Sequence, residues 1–168
     1  MSLLSRRRGL LASLALCGLL AACAQPPAPA PSTDPANGAW SGRLSLLVDD
    51  PSAQSFNAGF ELTGRPEQGQ LTVFNPLGNV VARLEWSPGH AVLLDGQKRT
   101  ESDSLEQLVQ TLTGSALPVS ALFSWLRGES VQTPGWQVEL GALQEHGRLV
   151  ARRFSPMPQA TLRIILSR

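Results

Sequence analysis

The fold is indicated first by the stretch WSGRLSLLV, which runs from Trp40 to Val48. Every second residue, counted from Trp40, belongs to an almost entirely apolar set, and the positions between are mainly serine and arginine. A period of two is typical of a β-strand that buries one face and exposes the other. The stretch therefore predicts a half-buried strand at the start of a folded domain.

The same alternation returns further along the chain. It covers residues 56–62, flanks a tip at residues 75–78 and continues over residues 80–86, with short turn signals between these segments. Asp95 and Gly96 form a pair that is typical of a tight hairpin. Further strands are predicted over residues 136–140, 149–154 and 162–166. We therefore predict consecutive antiparallel strands with one apolar face and one polar face.

A helical period replaces the alternation after residue 103. Ser104 and Gln107 form the pattern of a capping box, and apolar residues then recur at helical spacing. Gly114 stands where a C-terminal cap is expected, and Pro118 suits the first position of a second helix. The sequence therefore predicts two helices inserted between strands.

Two helices inserted in a one-faced meander define an α+β domain. Two short helices cannot cover seven or more strands completely. We therefore predict an incomplete antiparallel β-barrel, made of a curled meander sheet and covered by about two helices around a hydrophobic cavity. Flattening of the sheet or dimerisation would also hide the apolar face, and both alternatives stay open.

The first residues of the chain are typical of an exported protein. Arginines at positions 6–8 precede an uncharged, mostly apolar run over residues 9–20. This run is too short to span a bilayer, which needs about 20 residues. It ends in Leu20, Ala21, Ala22 and Cys23, a pattern that resembles the bacterial lipobox. Residues 1–22 are therefore predicted to be a lipoprotein signal peptide, with an ordinary signal peptide and a chance cysteine as the alternative.

The lipobox resemblance implies that diacylglycerol and an N-acyl chain are attached to Cys23. Residues 23–39 then form a tether rich in proline and alanine, which favours an extended conformation that reaches about 40 Å. Alanine rather than aspartate follows the cysteine. By resemblance to lipoprotein sorting in enteric bacteria, this implies the outer membrane. The folded domain is predicted to occupy residues 40–168.

Composition excludes several classes of function. Cys23 is the only cysteine that remains after cleavage, so no intramolecular disulfide is expected. Loss of the three signal-peptide arginines leaves 11 basic and 13 acidic residues, which gives no basic field for nucleic acid. His90 and His146 lie in turn contexts without metal-ligand spacing, and Asp49 and Asp50 fit a turn better than an acid–base pair. We predict neither an enzyme nor a metal or cofactor site beyond the covalent lipid. A lipid hydrolase is the weakest alternative, because no nucleophile–base pair is apparent.

The segment LVQTLTGSALPVSALFSWLRG at residues 108–128 carries the most specific resemblance. Together with the lipobox, the one-faced meander and an Asn-Pro-Leu-Gly tip, it resembles the LolB family of outer-membrane lipoproteins. The resemblance covers most of residues 40–166. It implies a monomeric receptor, facing the periplasm, which accepts triacylated lipoproteins from the periplasmic carrier LolA and inserts them into the inner leaflet of the outer membrane. The alternative is a structural or assembly-accessory lipoprotein that docks a protein partner.

The resemblance also implies roles for two residues. Cys23 matches the lipidated cysteine, and Leu77 matches the leucine of a protruding loop that targets the membrane. The residues around Leu77 fit a type I turn in which Pro76 is second and Gly78 adopts left-handed φ, so the leucine points off the tip. The alternative is that Leu77 folds back onto Phe74 or Val80.

The acyl cavity has candidates of its own among the apolar positions of the strands. They are Trp40, Leu46, Phe60, Leu62, Leu84 and Trp86. Each can equally be a plain core residue.

Overall fold

The computed structural model describes residues 34–35, 38–53 and 55–167. The predicted signal peptide, Cys23 and most of the tether lie outside the described residues. Within them the strands are β1 (Ala39–Val48), β2 (Phe56–Arg65), β3 (Gln68–Phe74), β4 (Val80–Ser87), β5 (His90–Asp95), β6 (Lys98–Ser102), β7 (Trp136–Glu139), β8 (Arg148–Arg153) and β9 (Ala160–Leu166). The helices are α1 (Leu105–Thr113), α2 (Val119–Leu126) and α3 (Leu143–His146). No helix in this part of the chain combines the length and apolarity needed to cross a bilayer.

All nine strands belong to one antiparallel sheet, in the order β6-β5-β4-β3-β2-β1-β9-β8-β7. The first six strands follow one another as the predicted meander. The C-terminal hairpin then returns to the first strand, because β9 pairs with β1 and places Leu162 opposite Leu46. Strands β6 and β7 remain the two edges of the sheet. The predicted incomplete barrel and the α+β class are therefore confirmed.

Alternation predicts much of the burial that the structure shows, although Ser41 and Thr72, which lie between the apolar positions, are buried as well. Trp40 and Leu46 of β1 are buried, as are Phe60 and Leu62 of β2, whereas Arg43 between them is exposed. The buried positions of neighbouring strands face each other across the ladder, and Trp40 pairs with Leu62. Burial of one continuous apolar face is the main stabilising term for such a sheet.

Helices α1 and α2 provide the cover on this face. The α1 helix begins after Ser104, whose hydroxyl accepts a hydrogen bond from the Gln107 amide at 3.2 Å, and ends at Gly114 with φ of +74°. Phe123 of α2 is fully buried and contacts two tryptophans of the sheet edge-on. Its ring centroid lies 5.6 Å from that of Trp40 and 6.1 Å from that of Trp86.

Three local details differ from the sequence expectations. Pro118 is the N-terminal cap of α2 rather than its first helical residue. The Gln107 side chain accepts from the Ser102 hydroxyl at 2.8 Å instead of closing the capping box on the Ser104 amide. The one-turn helix α3 was not predicted, since four residues are too few to show a helical period.

Candidate functional site

An enclosed apolar cavity lies between the sheet and helices α1 and α2. Its lining includes five of the six candidates, namely Leu46, Phe60, Leu62, Leu84 and Trp86. Trp40 does not line the cavity and lies behind it, packed against Phe123. The helices and the connection between them supply the opposite wall, through residues that the sequence did not assign to the cavity; these include Leu105, Val109 and Phe123 of the helices and Leu117 of the connection. Their helical spacing was visible, but the spacing alone does not distinguish a cavity wall from an ordinary core.

The chemistry of the lining favours a purely apolar ligand. Only Thr113 and Trp86 bring side-chain polar atoms to it, and both have partners. The Thr113 hydroxyl lies 2.8 Å from the Val109 carbonyl, and Trp86 Nε1 donates to the Arg65 carbonyl at 3.1 Å. A polar ligand would be desolvated there without gaining a hydrogen bond. Hydrocarbon chains fit this lining best.

The cavity is nearly closed in the structure. Its volume is about 60 Å³. A cavity that holds a single benzene has about 150 Å³, and typical ligand pockets have about 300–1,000 Å³. A long acyl chain therefore does not fit the cavity as it stands, and its entry requires the walls to move apart.

Three buried polar atoms lie unpartnered in this part of the chain. Trp40 Nε1, Trp125 Nε1 and Ser115 Oγ have no hydrogen-bond partner among the described residues. Ser115 and Trp125 belong to the helical segment, and Trp40 is the sheet residue on which Phe123 packs. An unsatisfied buried group costs about 1–3 kcal/mol.

A wider depression lies outside this cavity and has a different character. It has a volume of about 980 Å³ and is lined partly by charged and amide side chains, among them Arg65, Gln68, Glu85 and Arg99. It is open to solvent and therefore offers no apolar enclosure. The smaller cavity under the helices is the enclosed apolar one of the two.

The Leu77 tip has the geometry that the sequence predicts. The Gly78 amide donates to the Asn75 carbonyl at 2.9 Å, and the Asn75 amide donates to the Asn79 carbonyl at 2.9 Å. Gly78 has φ of +84°. Leu77 does not have positive φ, because no described residue other than glycine does, and this agrees with the third position of a type I turn. The Asn75 side chain accepts from the amides of Leu77 and Asn79, each at 3.0 Å.

The Leu77 side chain does not fold back onto its neighbours. It is 86% exposed, the highest value among the large apolar side chains of the described chain. The strand that follows starts with an irregularity, since Phe74 pairs with Val80 whereas Val73 pairs with Ala82. The extra residue is Val81, and both valines are exposed. The tip therefore presents a small apolar patch rather than one isolated leucine.

The two ends of the sheet differ in the side chains that they expose. We call the end where β1 finishes and β2 starts the apolar end, and the opposite end the polar end. Six of the eight exposed large apolar side chains of the described chain lie at the apolar end. They are Leu47, Leu77, Val80, Val81, Phe154 and Met157.

Groups with catalytic or metal-binding potential are sparse in the described residues. No group of three or more histidine, cysteine, aspartate or glutamate side chains is close enough there to hold a metal ion. Asp50 has a turn role, because its carboxylate accepts from the Ser52 amide at 2.8 Å and hydroxyl at 2.7 Å. These hydrogen bonds lower the pKa of Asp50 below its ordinary value.

The described chain belongs to the class of half-barrel proteins with an apolar interior and a helical cover. Comparison with known proteins gives the family. A model described as outer membrane lipoprotein LolB matches residues 39–155. The outer-membrane lipoprotein LolB of Bordetella petrii is 35% identical over 188 aligned residues, which cover 96% of this chain and 93% of the relative. The LolB of Chromobacterium violaceum is 36% identical over 149 residues, which cover 84% and 79%.

The chain belongs to the LolB family of outer-membrane lipoproteins. It is therefore an outer-membrane lipoprotein of a family that takes part in lipoprotein transport. Cys23, the predicted site of the lipid, lies outside the described residues, and its role stays a prediction, as do the roles of Leu77 and of the cavity-lining residues.

Proposed function

We propose that this protein is the outer-membrane receptor that accepts acylated lipoproteins from a soluble periplasmic carrier of the LolA type and inserts them into the outer membrane. The observation that carries the proposal is the wholly apolar cavity beneath α1 and α2, in a chain of this family. Transfer of an acylated protein between two apolar sites changes no covalent bond. The proposed role is therefore binding and transfer without catalysis, and the only attached group is the lipid on Cys23.

The energetics of acyl chains favour a direct hand-off. Burial of one methylene gains about 0.8 kcal/mol, so one chain of about sixteen carbons gains about 12 kcal/mol. Three such chains would make release into water far too slow for transport. The carrier and this protein must therefore bring their apolar openings together, and the cargo then passes between them without crossing bulk solvent.

The helical cover is the element that has to open. Helices α1 and α2 close the cavity over the sheet and supply much of its apolar lining. Entry of acyl chains would replace apolar contacts between helix and sheet by apolar contacts with the cargo. The exchange keeps hydrophobic surface away from water on both sides of the transition.

The tether and the Leu77 tip have separate roles at the membrane, attachment for the tether and orientation for the tip. The lipid on Cys23 holds the protein at the membrane through residues 23–39, and residues 40–168 fold as the receptor domain. Burial of one leucine gains only about 1.5–3 kcal/mol, too little to anchor a protein but enough to orient one that is already tethered. We assign to Leu77 this orienting contact with lipid during delivery.

Depletion of the protein in cells tests the proposed function. Lipidated cargo should accumulate on the soluble carrier in the periplasm, because the carrier cannot release its acyl chains into water. Normal delivery of cargo to the outer membrane after depletion would contradict the proposal. A defect confined to one envelope assembly, with cargo delivery intact, would favour the accessory role in which the sheet docks a protein partner.

A further inference from the structure

A second apolar loop lies at the same end of the sheet as Leu77. It connects β8 to β9 and carries Phe154 and Met157, which are 56% and 71% exposed. Because Arg153 pairs with Ala160 and Val48 also pairs with Ala160, this loop lies beside the end of β1, at the apolar end. No residue of the loop lines the acyl cavity. The proposed receptor function therefore leaves these two side chains without a role.

The loop is held in place by hydrogen bonds to its backbone. The Phe154 amide donates to the Gly135 carbonyl at 2.9 Å, and the Asp49 amide donates to the Gln159 carbonyl at 2.8 Å. Arg153, whose side chain points into the protein, donates to the Pro158 carbonyl from Nη2 at 2.9 Å and from Nε at 3.2 Å. A loop fixed in this way cannot collapse onto the core to hide its apolar side chains.

The position of the loop suits a broad, flat partner. The hairpins that carry Leu77 and Met157 are centred four strand spacings apart, which is about 19 Å along the sheet at roughly 4.8 Å per strand. Asp49 and Asp50 lie in the β1–β2 connection, and strands β1 and β2 stand between the two hairpins in the sheet. Two apolar tips separated by polar residues form no single groove for a peptide, but both can enter the surface of a bilayer.

The length of the tether allows the apolar end to face the membrane. The chain enters the sheet at the polar end, where Asp34 and Ala39 form an antiparallel bridge. From Cys23 to Asp34 the chain has eleven residues, which reach up to about 36 Å when extended. The ten residues of β1 span about 33 Å. The lipidated cysteine and the apolar end can therefore occupy the same bilayer surface.

We propose that the β8–β9 loop is a second lipid-contacting element, in which Phe154 and Met157 enter the acyl region together with Leu77 and so fix the orientation of the receptor on the membrane. This inference rests on the proposed receptor function for its biological meaning, but the contact itself can be measured without any cargo. Two contacts define an axis on the membrane surface, whereas one contact leaves the domain free to tilt.

A fluorescence measurement tests the contact in the lipidated full-length protein. Because Cys23 is acylated, a single new cysteine provides the only free thiol for an environment-sensitive dye. The variants are Met157→Cys, Leu77→Cys and, at the tip of the polar β2–β3 turn, Glu67→Cys. They are placed in vesicles of phosphatidylethanolamine and phosphatidylglycerol that contain lipids with quenchers on their acyl chains.

We expect quenching of the dye at positions 157 and 77 and none at position 67. A dye at position 157 that remains in water while the dye at position 77 is quenched would overturn the inference and leave the receptor function intact. Burial at position 157 only after addition of the soluble carrier would also overturn it, in favour of a protein contact.

A transfer measurement gives the inference a functional test. The double variant Phe154→Ser with Met157→Ser should slow delivery of labelled lipoprotein to vesicles about tenfold, because each lost apolar contact weakens the membrane complex. Acceptance of cargo from the carrier should be unchanged. The matched control is Val131→Ser, which removes an exposed apolar side chain that lies beside Glu106, Pro118 and Ser120, outside the set at the apolar end. Equal delivery by the double variant and the control would contradict the proposal.

Discussion

The two ends of the sheet close their hairpins with similar turns but expose different side chains. At the polar end, the turns around Pro66 and Pro88 carry glutamate, glutamine, serine and histidine. At the apolar end, the turn around Pro76 carries Leu77. Gly89 and Gly78 both have positive φ, so a glycine meets the backbone requirement in each turn, although the loop of Gly89 has two residues and that of Gly78 has five. The exposed leucine therefore contributes nothing to the formation of the turn.

This difference separates two demands on the sequence. Asn75, Pro76 and Gly78 satisfy the backbone of the turn, and position 77 is free to be any residue that tolerates type I geometry. An apolar side chain in water gains no burial energy, so Leu77 adds to stability only where it is buried against a partner, such as the lipid proposed above. The same reasoning applies to Phe154 and Met157 in their fixed loop.

The largest expected effect is a difference in the free energy of unfolding between two leucine-to-aspartate variants, one inside the sheet and one at its apolar end. Leu84 is 1% exposed and lines the cavity, so Leu84→Asp places a carboxylate in an apolar interior and should lower the free energy of unfolding by about 4 kcal/mol or more. Leu77→Asp should change it by less than about 0.5 kcal/mol. Thermal and urea unfolding of the two variants measure the difference. A comparable loss of stability in both would mean that Leu77 packs against the fold in solution.

The next effect concerns the residue that fixes the second apolar loop. Arg153→Leu removes the donors to the carbonyls of Pro158 and Ala116, and loss of these hydrogen bonds should cost about 2–4 kcal/mol. The freed loop should also become sensitive to chymotrypsin after Phe154. Arg152→Leu is the matched control, since its side chain is exposed and pairs with Glu139 on the outer face, a kind of pair worth about 0–1 kcal/mol. Equal stability and equal proteolysis of the two variants would show that Arg153 does not hold the loop.

The role of Leu77 is tested by comparing two transfer steps. Leu77→Asp should slow delivery of labelled lipoprotein from the receptor to vesicles about tenfold, because a carboxylate resists entry into the acyl region. Acceptance from the carrier should stay nearly normal, since residue 77 does not line the cavity. Glu67→Lys at the polar end provides a charge change without an expected effect on either step. An equal loss in both steps, or in neither, would refute the assignment of Leu77 to membrane contact.

The smallest effect is expected from the glycines of corresponding turns. Gly78→Ala and Gly89→Ala each place a β-carbon on a residue with positive φ, although nothing lies within 4 Å of either β-carbon. Each substitution should therefore lower the free energy of unfolding by about 1 kcal/mol. Only Gly78→Ala should also slow delivery to vesicles, since it alters the tip that carries Leu77. A delivery defect of equal size in Gly89→Ala would remove the functional distinction between the two ends.

Much of the fold was readable from local patterns. Alternation from Trp40 onward located the strands, and Ser104 and Gly114 marked the ends of α1 because caps depend on neighbouring residues alone. The pairing of β1 with β9 was not readable, because alternation shows which face of a strand is buried but not which strand lies beside it. Helix α3 left no periodic signal, because its four residues make only about one turn.

The candidate site was only partly readable. The apolar face predicted Leu46, Phe60, Leu62, Leu84 and Trp86, and all five line the cavity. Trp40 shares their alternation but lies behind Phe123, since the position of a helix over a sheet depends on tertiary packing. Alternation predicts Phe154 as the last residue of a strand, whereas the structure ends β8 at Arg153 and leaves the Phe154 side chain exposed in the following loop.

Photo-crosslinking of the cargo's acyl chain tests the central claim most directly. A lipoprotein that carries a photoactivatable group on one acyl chain is loaded on the soluble carrier, mixed with the receptor in vesicles and irradiated during transfer. We expect adducts on residues that line the cavity, in particular Phe60 and Leu84 of the sheet and Val109 of α1. Adducts confined to the outer face of the sheet, or transfer at a normal rate without any adduct in the cavity, would contradict the account.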